Sequence, residues 1–518
     1  MNRSILARLL APLLVMAVLA LAAGQADRFT IVIFHVNDLH AATEGLQGIA
    51  AGLAGARNDA GTGRCPELGA VPGRPAGSRC VVLALNAGDS FSGNPMIDLL
   101  AGEPLGEIFR IIAFDATVIG NHDFDYGQEA LMRVQDLATD RWLGANLGAG
   151  SGALLEQPPA SVVLESAGGL RVGVIGVVQI GAAGIPSTAP KNLAGLSFTD
   201  PVAAMREEAR RLRPVVDVLI GLTHLGVDWD VELAGAVPEL DAIVGGHSHT
   251  TLSGPLFVTV AGKRIPIVQA GSGGRVLGRL DLDVRGGRVE GFRGRLISTH
   301  GLGEDPVVAG IIAAAASRVK PVLDRVVGQA GQAIARSGQS LGDSPLGNLI
   351  ADAFRAAEFG GDLAASIGIT NNGGIRADLP RGQVTLEDLY QVMPFGNGVV
   401  LVQLSGGELR ELIRYSFARR NQVDLQVSGM TYTIVTDVLG QVRRVEISVA
   451  GEALDDSGAY LVAMNDFMAS GGSGYPVPAP SIIAAAGRTD ALVVADYLER
   501  LLGGAIAVES DGRIRVRR

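Results

Sequence analysis

From Phe29 to about Val289, short apolar runs rich in β-branched residues recur along the chain: FTIVIFHV, CVVLALN, ATVIG, RVGVIGVV, VVDVLIGL and LDAIVGG. Each has the length of one buried strand, and stretches such as GQEALMRVQDLA and PVAAMREEARRLR between them carry a helical period. The alternation predicts β and α elements in succession, an α/β fold with a buried sheet covered by helices. From Asp305 to Val327, DPVVAGIIAAAASRVKPVLDRVV predicts a connecting helix, broken or kinked near Pro321. Beyond it the pattern changes. SPLGNLIADAFRAAEF predicts a helix capped by Ser344, while MTYTIVTD and RRVEISVA predict strands, so the remainder is a second, α+β domain.

The length of 518 residues agrees with this division, since single cores seldom grow so large. With 47% hydrophobic and 19% charged residues and 71 glycines, the composition fits a globular protein with many tight turns and excludes disorder. The first residues follow another pattern: Arg3 and Arg8 precede an apolar run from Leu9 to Ala23, which ends in Gly24-Gln25-Ala26. That order predicts a secretory signal peptide over 1–26 and a periplasmic or secreted protein. No cysteine near it offers a lipid anchor, and no later segment reads as a bilayer span, so no stable membrane anchor is expected. The formal charge is −10, and loss of Arg3 and Arg8 with the leader makes it −12, which argues against a nucleic-acid polymer as partner. Cys65 and Cys80 are the only cysteines, and in an oxidising compartment they are expected to pair and pin a Gly/Pro-rich loop.

The polar residues that could carry chemistry fall just past the carboxyl ends of the apolar runs. FTIVIFHV leads into Asn37-Asp38-Leu39-His40, CVVLALN into Gly88-Asp89, and ATVIG into Asn121-His122-Asp123-Phe124-Asp125. VVDVLIGL leads into Thr223-His224, and LDAIV into Gly245-Gly246-His247-Ser248-His249. In α/β sheets that edge is where ligands bind, so five segments deliver Asp, Asn and His to one rim. Two divalent ions held close together need a bridging carboxylate with further ligands on each side. Asp89 suits the bridge, with Asp38, His40 and His249 completing one site and Asn121, His224 and His247 the other. Mixed imidazole and oxygen donors favour Zn, Mn, Fe or Co over Ca or Mg, with Zn or Mn expected first. Such a pair hydrolyses a phosphate ester without a protein nucleophile. His122 is then free to stabilise the transition state or protonate the leaving oxygen, with Asp125 fixing its tautomer and Asp123 capping the following turn.

Together NDLH, GDSFSG, GNHDFDYG, THLG and GGHSHT resemble the calcineurin-like metallophosphoesterases, specifically the secreted bacterial 5'-nucleotidase and UDP-sugar hydrolase family. SPLGNLIADAF, TNNGGIRADLP, QVMPFGNGVVLVQL and NDFMASGGSGY resemble that family's C-terminal substrate-binding domain, in the same order. The resemblance implies a sheet sandwich flanked by helices over 28–300, a helical linker over 301–326 and a smaller α+β substrate-binding domain over 327–510. It also implies a small nucleotide as substrate. Phe395 and Phe467 would sandwich the base, Asn371 and Arg376 would reach the phosphate past Gly373 and Gly374, and Asn397 would join the pocket. Arg336 would add a second cation, a surface salt bridge being its alternative role. The chain departs from the family pattern at Ser340, where a phosphate-binding Arg is usual, and at Ser473, where an Asp is usual. The implied activity is two-metal hydrolysis of nucleotide phosphate esters, as a 5'-nucleotidase and also a UDP-sugar hydrolase. A 2',3'-cyclic nucleotide phosphodiesterase or a thiosulfohydrolase on the same scaffold is the alternative, and a non-catalytic binding protein the third. The oligomeric state stays open.

Overall fold

The computed structural model describes residues 28–517 apart from 182–183, 187, 189, 337–340, 470, 479–481 and 502–503. The expected signal peptide and Ser340 therefore lie outside the described residues. Arg28–Val36 alternates strictly: Phe29, Ile31 and Ile33 face one core, and Val32, Phe34 and Val36 face another. A strand buried on both faces must be central, which is why it reads as an unbroken apolar run. It pairs in parallel with Arg79–Asn86, which is followed outward by Ala116–Val118 and Trp142–Leu143. Its other neighbour is the antiparallel Val276–Arg285, which forms a hairpin with Arg288–Ser298.

The apolar pattern predicts one buried sheet, but there are two. RVGVIGVV, VVDVLIGL and LDAIVGG supply Arg171–Val178, Val218–His224 and Ala242–Gly245 of a second six-stranded sheet, with Ser161–Glu165 at one edge and Lys263–Val268 and Leu256–Val260 at the other. The two sheets pack face to face through Ile31, Ile33, Leu85, Val174, Ile220 and Leu280. Helices Leu46–Gly61 and Glu103–Ile112 cover the first sheet, and Pro201–Leu212 and Val227–Ala236 the second. The period of a strand reports its burial and not the sheet it joins, so the sandwich is legible only through family resemblance.

Cys65 and Cys80 are joined, and Arg279 holds the loop between them by donating to the carbonyls of Pro66 and Leu68. The connecting helix, Pro306–Leu323, is not broken at Pro321. Pro321 falls in the last turn, where one backbone hydrogen bond is lost and only two residues follow. By length and composition alone this helix does satisfy the minimum for a bilayer span, contrary to expectation. It packs instead on the first domain, where Arg318 pairs with Glu103.

In the second domain Ser344 accepts the Gly347 amide at 3.0 Å and caps Pro345–Arg355. Its five-stranded sheet runs in the order Leu425–Ser428, Ile367–Asn371, Ala459–Asn465, Gly398–Ser405, Ile482–Thr489. Asn371 ends one strand, Phe467 follows another, and Phe395 and Asn397 precede an antiparallel third, so one sheet edge gathers all four. Because Ile220 is fully buried between the sheets of the sandwich, Ile220→Ala is expected to cost roughly 2–5 kcal/mol. Chemical denaturation followed by fluorescence checks this; an unshifted first transition would contradict close packing of the two sheets.

Candidate active site

The carboxyl ends of both sheets converge, and the two loops of the first sheet are held together by backbone hydrogen bonds. The amides of Asp38, His40 and Ala41 donate to the carbonyls of Gly88, Asp89 and Ser90 at 2.8, 3.0 and 2.8 Å. This pairing sets Asp38 and His40 beside Asp89. Glycine is required in the crowded turn: Gly88 lies at φ +84°, and a Cβ there would come within 2.9 Å of His224 Nδ1. At Gly120 a Cβ would stand 2.3 Å from Asp89 Oδ1. Asp38, His40, Asp89, His247 and His249 all have positive φ, five of the thirteen such non-glycine residues described. A left-handed L-residue costs about 1–2 kcal/mol, so the fold concentrates backbone strain where the side chains must converge.

Two clusters result. In one, ligand atoms of Asp38, His40 and His249 lie within 4.8 Å of one another, and the same holds for Asp89, His224 and His247 in the other. Asn121 joins the second through Oδ1, 3.0 Å from His247 Nδ1. The clusters adjoin at Asp38 Oδ1, 4.0 Å from His224 Nε2. Asp89 belongs to the second cluster, where its Oδ2 lies 3.0 Å from His224 Nε2, while its Oδ1 accepts the His122 amide at 2.8 Å.

The donor set fits divalent cations. His224 Nδ1 donates to the Ala87 carbonyl at 2.7 Å, which turns Nε2 inward, and that buried Nε2 has no well-formed hydrogen bond. His40 is fixed likewise by the Ser92 carbonyl at 3.1 Å from Nδ1. Burial pushes His40 and His247 down to about 4, so both imidazoles are neutral near pH 7 and keep a lone pair for a cation. At His224 burial opposes the charged form, yet the Asp89 carboxylate prevails and pushes it up to about 9. Asp89 itself is held well below the usual carboxylate range: burial opposes this, and His224 and His122 outweigh it.

His122 stands beside the clusters and not in them. Its Nδ1 donates to Asp125 Oδ2 at 2.6 Å, and Ser92 Oγ and Thr188 Oγ1 donate to the two oxygens of Asp125 at 2.6 and 2.8 Å. Burial disfavours the imidazolium, but Asp125 and Asp89 outweigh it and push His122 up to about 10. Asp123 does not cap the turn that follows it. Its carboxylate accepts the amides of Asp89, Ser90, Phe91 and Gly120, at 3.1, 2.7, 3.3 and 2.8 Å, and so clamps the Asp89 loop to the Asn121 loop. Asn37 plays a similar part, donating to Asp38 Oδ2 and to the Gly271 carbonyl and accepting the Ala270 amide.

The second domain meets this rim at a cavity of about 190 Å³. His122 lines it from the first domain, and Asn371, Gly373, Gly374, Arg376, Phe395, Asn397 and Phe467 from the second. The Phe395 ring stacks on His122 at 5.6 Å, and the Arg376 guanidinium lies 5.7 Å from the Phe395 ring centre. Arg336 is not among the lining residues; its guanidinium donates to the backbone carbonyl of Arg376, and it lies only loosely by Asp378, 4.0 Å away. Ser473 does face the cavity, together with Arg419 and Arg420, which sequence reasoning missed. They sit at the end of the Gly406–Ala418 helix, where paired arginines look like ordinary complements to a helix carboxyl end. Removal of the amide clamp by Asp123→Ala should lower both metal content, read by elemental analysis, and the thermal midpoint. Full metal content in that variant would show that the ligand loops hold without it.

Residues 31–251 match the calcineurin-like phosphoesterase family model, and residues 326–480 match the 5'-nucleotidase C-terminal domain. Protein 5NUC of Lutzomyia longipalpis is 29% identical over 96% of this chain and 94% of its own length. Snake venom 5'-nucleotidase of Naja atra is 28% identical over 94% of this chain and 98% of its own. Among solved structures, the 5'-nucleotidase precursor from Thermus thermophilus is 26% identical with a TM-score of 0.72, covering 95% of this chain and all of that one. Two ligand clusters at the sheet ends, matched domains on either side of the linker helix and full-length relatives of the same kind agree: the chain belongs to the 5'-nucleotidase family of calcineurin-like phosphoesterases and is a metal-dependent phosphoester hydrolase.

Proposed function

We propose that the chain hydrolyses nucleoside 5'-phosphates and related nucleotide esters, including UDP-sugars, outside the cytoplasm. The observation that carries this reading is the cavity between the domains, with Phe395, Phe467 and Arg376 on one side and His122 on the other. Two flat rings suit a nucleobase without demanding a particular one, because every base has a π-face. Export is supported by the leader pattern over 1–26 and by relatives that are venom proteins. Zn or Mn would occupy the two clusters, with Asp38, His40 and His249 at one ion, Asn121, His224 and His247 at the other, and Asp89 shared. The phosphoesterase unit is assigned to 28–300, the linker to 301–326 and the substrate-binding unit to 327–510.

When bound, the ions would supply Lewis-acid neutralisation of phosphoryl charge and lower the pKa of water. The chain's own residues do the rest. Phe395 and Phe467 hold the base, and Asn371 and Arg376 turn the phosphate toward the rim, with Gly373 and Gly374 letting backbone come close. His122, kept protonated by Asp125, donates a hydrogen bond to the developing charge and a proton to the leaving 5' oxygen. Ser92 and Thr188 hold Asp125 so that the imidazole cannot turn away.

Purified chain supplied with Mn or Zn is expected to release phosphate from AMP and UMP from UDP-glucose. Asp89→Ala should reduce either rate by more than about 100-fold, since losing a partner of a ligand alone costs 10- to 100-fold. Cleavage of 2',3'-cyclic AMP without cleavage of AMP would replace this reading with the phosphodiesterase one. Phe395→Ala should raise KM for AMP roughly tenfold, as loss of one base-stacking ring predicts; an unchanged KM would remove the base clamp from the account.

A further inference from the structure

The cavity beside His122 is more cationic than hydrolysis of a simple monophosphate requires. Among the described residues it is lined by three guanidinium groups, Arg376, Arg419 and Arg420, and by no carboxylate. Arg376 lies against Phe395, which stacks on His122, so it belongs to the side facing the scissile phosphate. Arg419 and Arg420 belong to the other side. Arg419 Nη1 donates to the Ser473 carbonyl at 2.8 Å, and Ser473 follows Gly472, whose Cα packs so closely on Phe467 that a Cβ would stand 2.5 Å from its ring. Tyr415 Oη also donates to the Ser473 carbonyl, at 3.0 Å, which fixes this loop against the helix that the two arginines follow.

The charges there are only partly balanced. Asp424 lies behind Arg419, its Oδ2 3.4 Å from Nη2 and also accepting Tyr475 Oη at 2.5 Å, and it does not line the cavity. Arg420 has no ion pair and no side-chain hydrogen bond among the described residues. A nucleobase and ribose hydroxyls are neutral, so beside them the exposed Arg420 guanidinium would meet only water. A phosphate on the ribose would supply a counter-charge, through forked charge-assisted hydrogen bonds.

Resting on the reading of this chain as a nucleotide hydrolase, we propose that its preferred substrates are nucleoside 5'-phosphates bearing a second phosphate on the ribose, bound by Arg419 and Arg420. Water adds its oxygen to the 5' phosphorus, the bond from phosphorus to O5' breaks, and a proton ends on O5'. The products are inorganic phosphate and a nucleoside that keeps its ribose phosphate. Hydrolysis of this kind consumes the product of a reaction class that leaves ribose doubly phosphorylated.

The test compares kcat/KM for adenosine 3',5'-bisphosphate and AMP on the full chain loaded with Mn or Zn. The bisphosphate should be preferred by about tenfold or more, the scale of one charge-assisted hydrogen bond. Chromatography should show adenosine 3'-phosphate as its product. Arg420→Gln should lower the preference ratio about tenfold, Arg420→Lys should keep most of it, and Arg420→Glu should reverse it. Arg420 is exposed, so these variants are expected to fold. Equal or better use of AMP by the unaltered chain, loss of the 3' phosphate in place of the 5' one, or a ratio indifferent to Arg420→Gln would overturn the proposal and leave the nucleotidase reading standing. Failure on both nucleotides, with bis-p-nitrophenyl phosphate still cleaved, would overturn both.

Discussion

Two carboxylates, Asp38 and Asp89, are buried side by side at the junction of two sheets, with 0% and 1% of their surface exposed. Buried like charges repel and are poorly solvated, and cations placed among them offset the penalty. Much of the surrounding structure follows from that constraint. Four imidazoles approach the two carboxylates, and each ring whose outer nitrogen is held by a backbone carbonyl turns its other nitrogen inward. The amide clamp of Asp123 and the paired loops at Asp38 and Asp89 keep the acids from separating to relieve their repulsion.

Backbone strain has the same origin. Side chains at successive strand ends point away from one another unless the chain turns sharply, and a left-handed residue is the shortest way to turn it. Asp38, His40, Asp89, His247 and His249 each accept that conformation. The cost is carried by a two-sided apolar core in which the strands leading to the ligands, such as Arg28–Val36 and Val218–His224, are almost completely buried.

The second domain solves a different problem with the same geometry. One edge of its sheet brings Asn371, Phe395, Asn397 and Phe467 together, and Phe395 reaches across to stack on His122. Lys191 and Asp466, 3.8 Å apart, add a contact between the domains, and Gly396 sits against Tyr126, where a Cβ would come within 2.8 Å of the hydroxyl. His122 and side chains of the second domain thus line one cavity, and a continuous apolar core runs beneath both domains through the connecting helix.

By itself the sequence determined the strands, since apolar runs of strand length can be satisfied only by burial, and it determined where chemistry would lie, since Asp, Asn and His recur just beyond those runs. The helix cap at Ser344 and the pairing of Cys65 with Cys80 were legible for equally local reasons. The tertiary structure alone decided that the strands divide between two sheets, that the helix continues past Pro321, that Asp123 holds the Asp89 loop, and that Arg419 and Arg420 face the cavity beside His122 while Arg336 does not. The reason is physical: periodicity records how deeply a residue is buried, whereas the partner of an amide, or the direction of a long guanidinium side chain, depends on segments that meet only when the chain has folded.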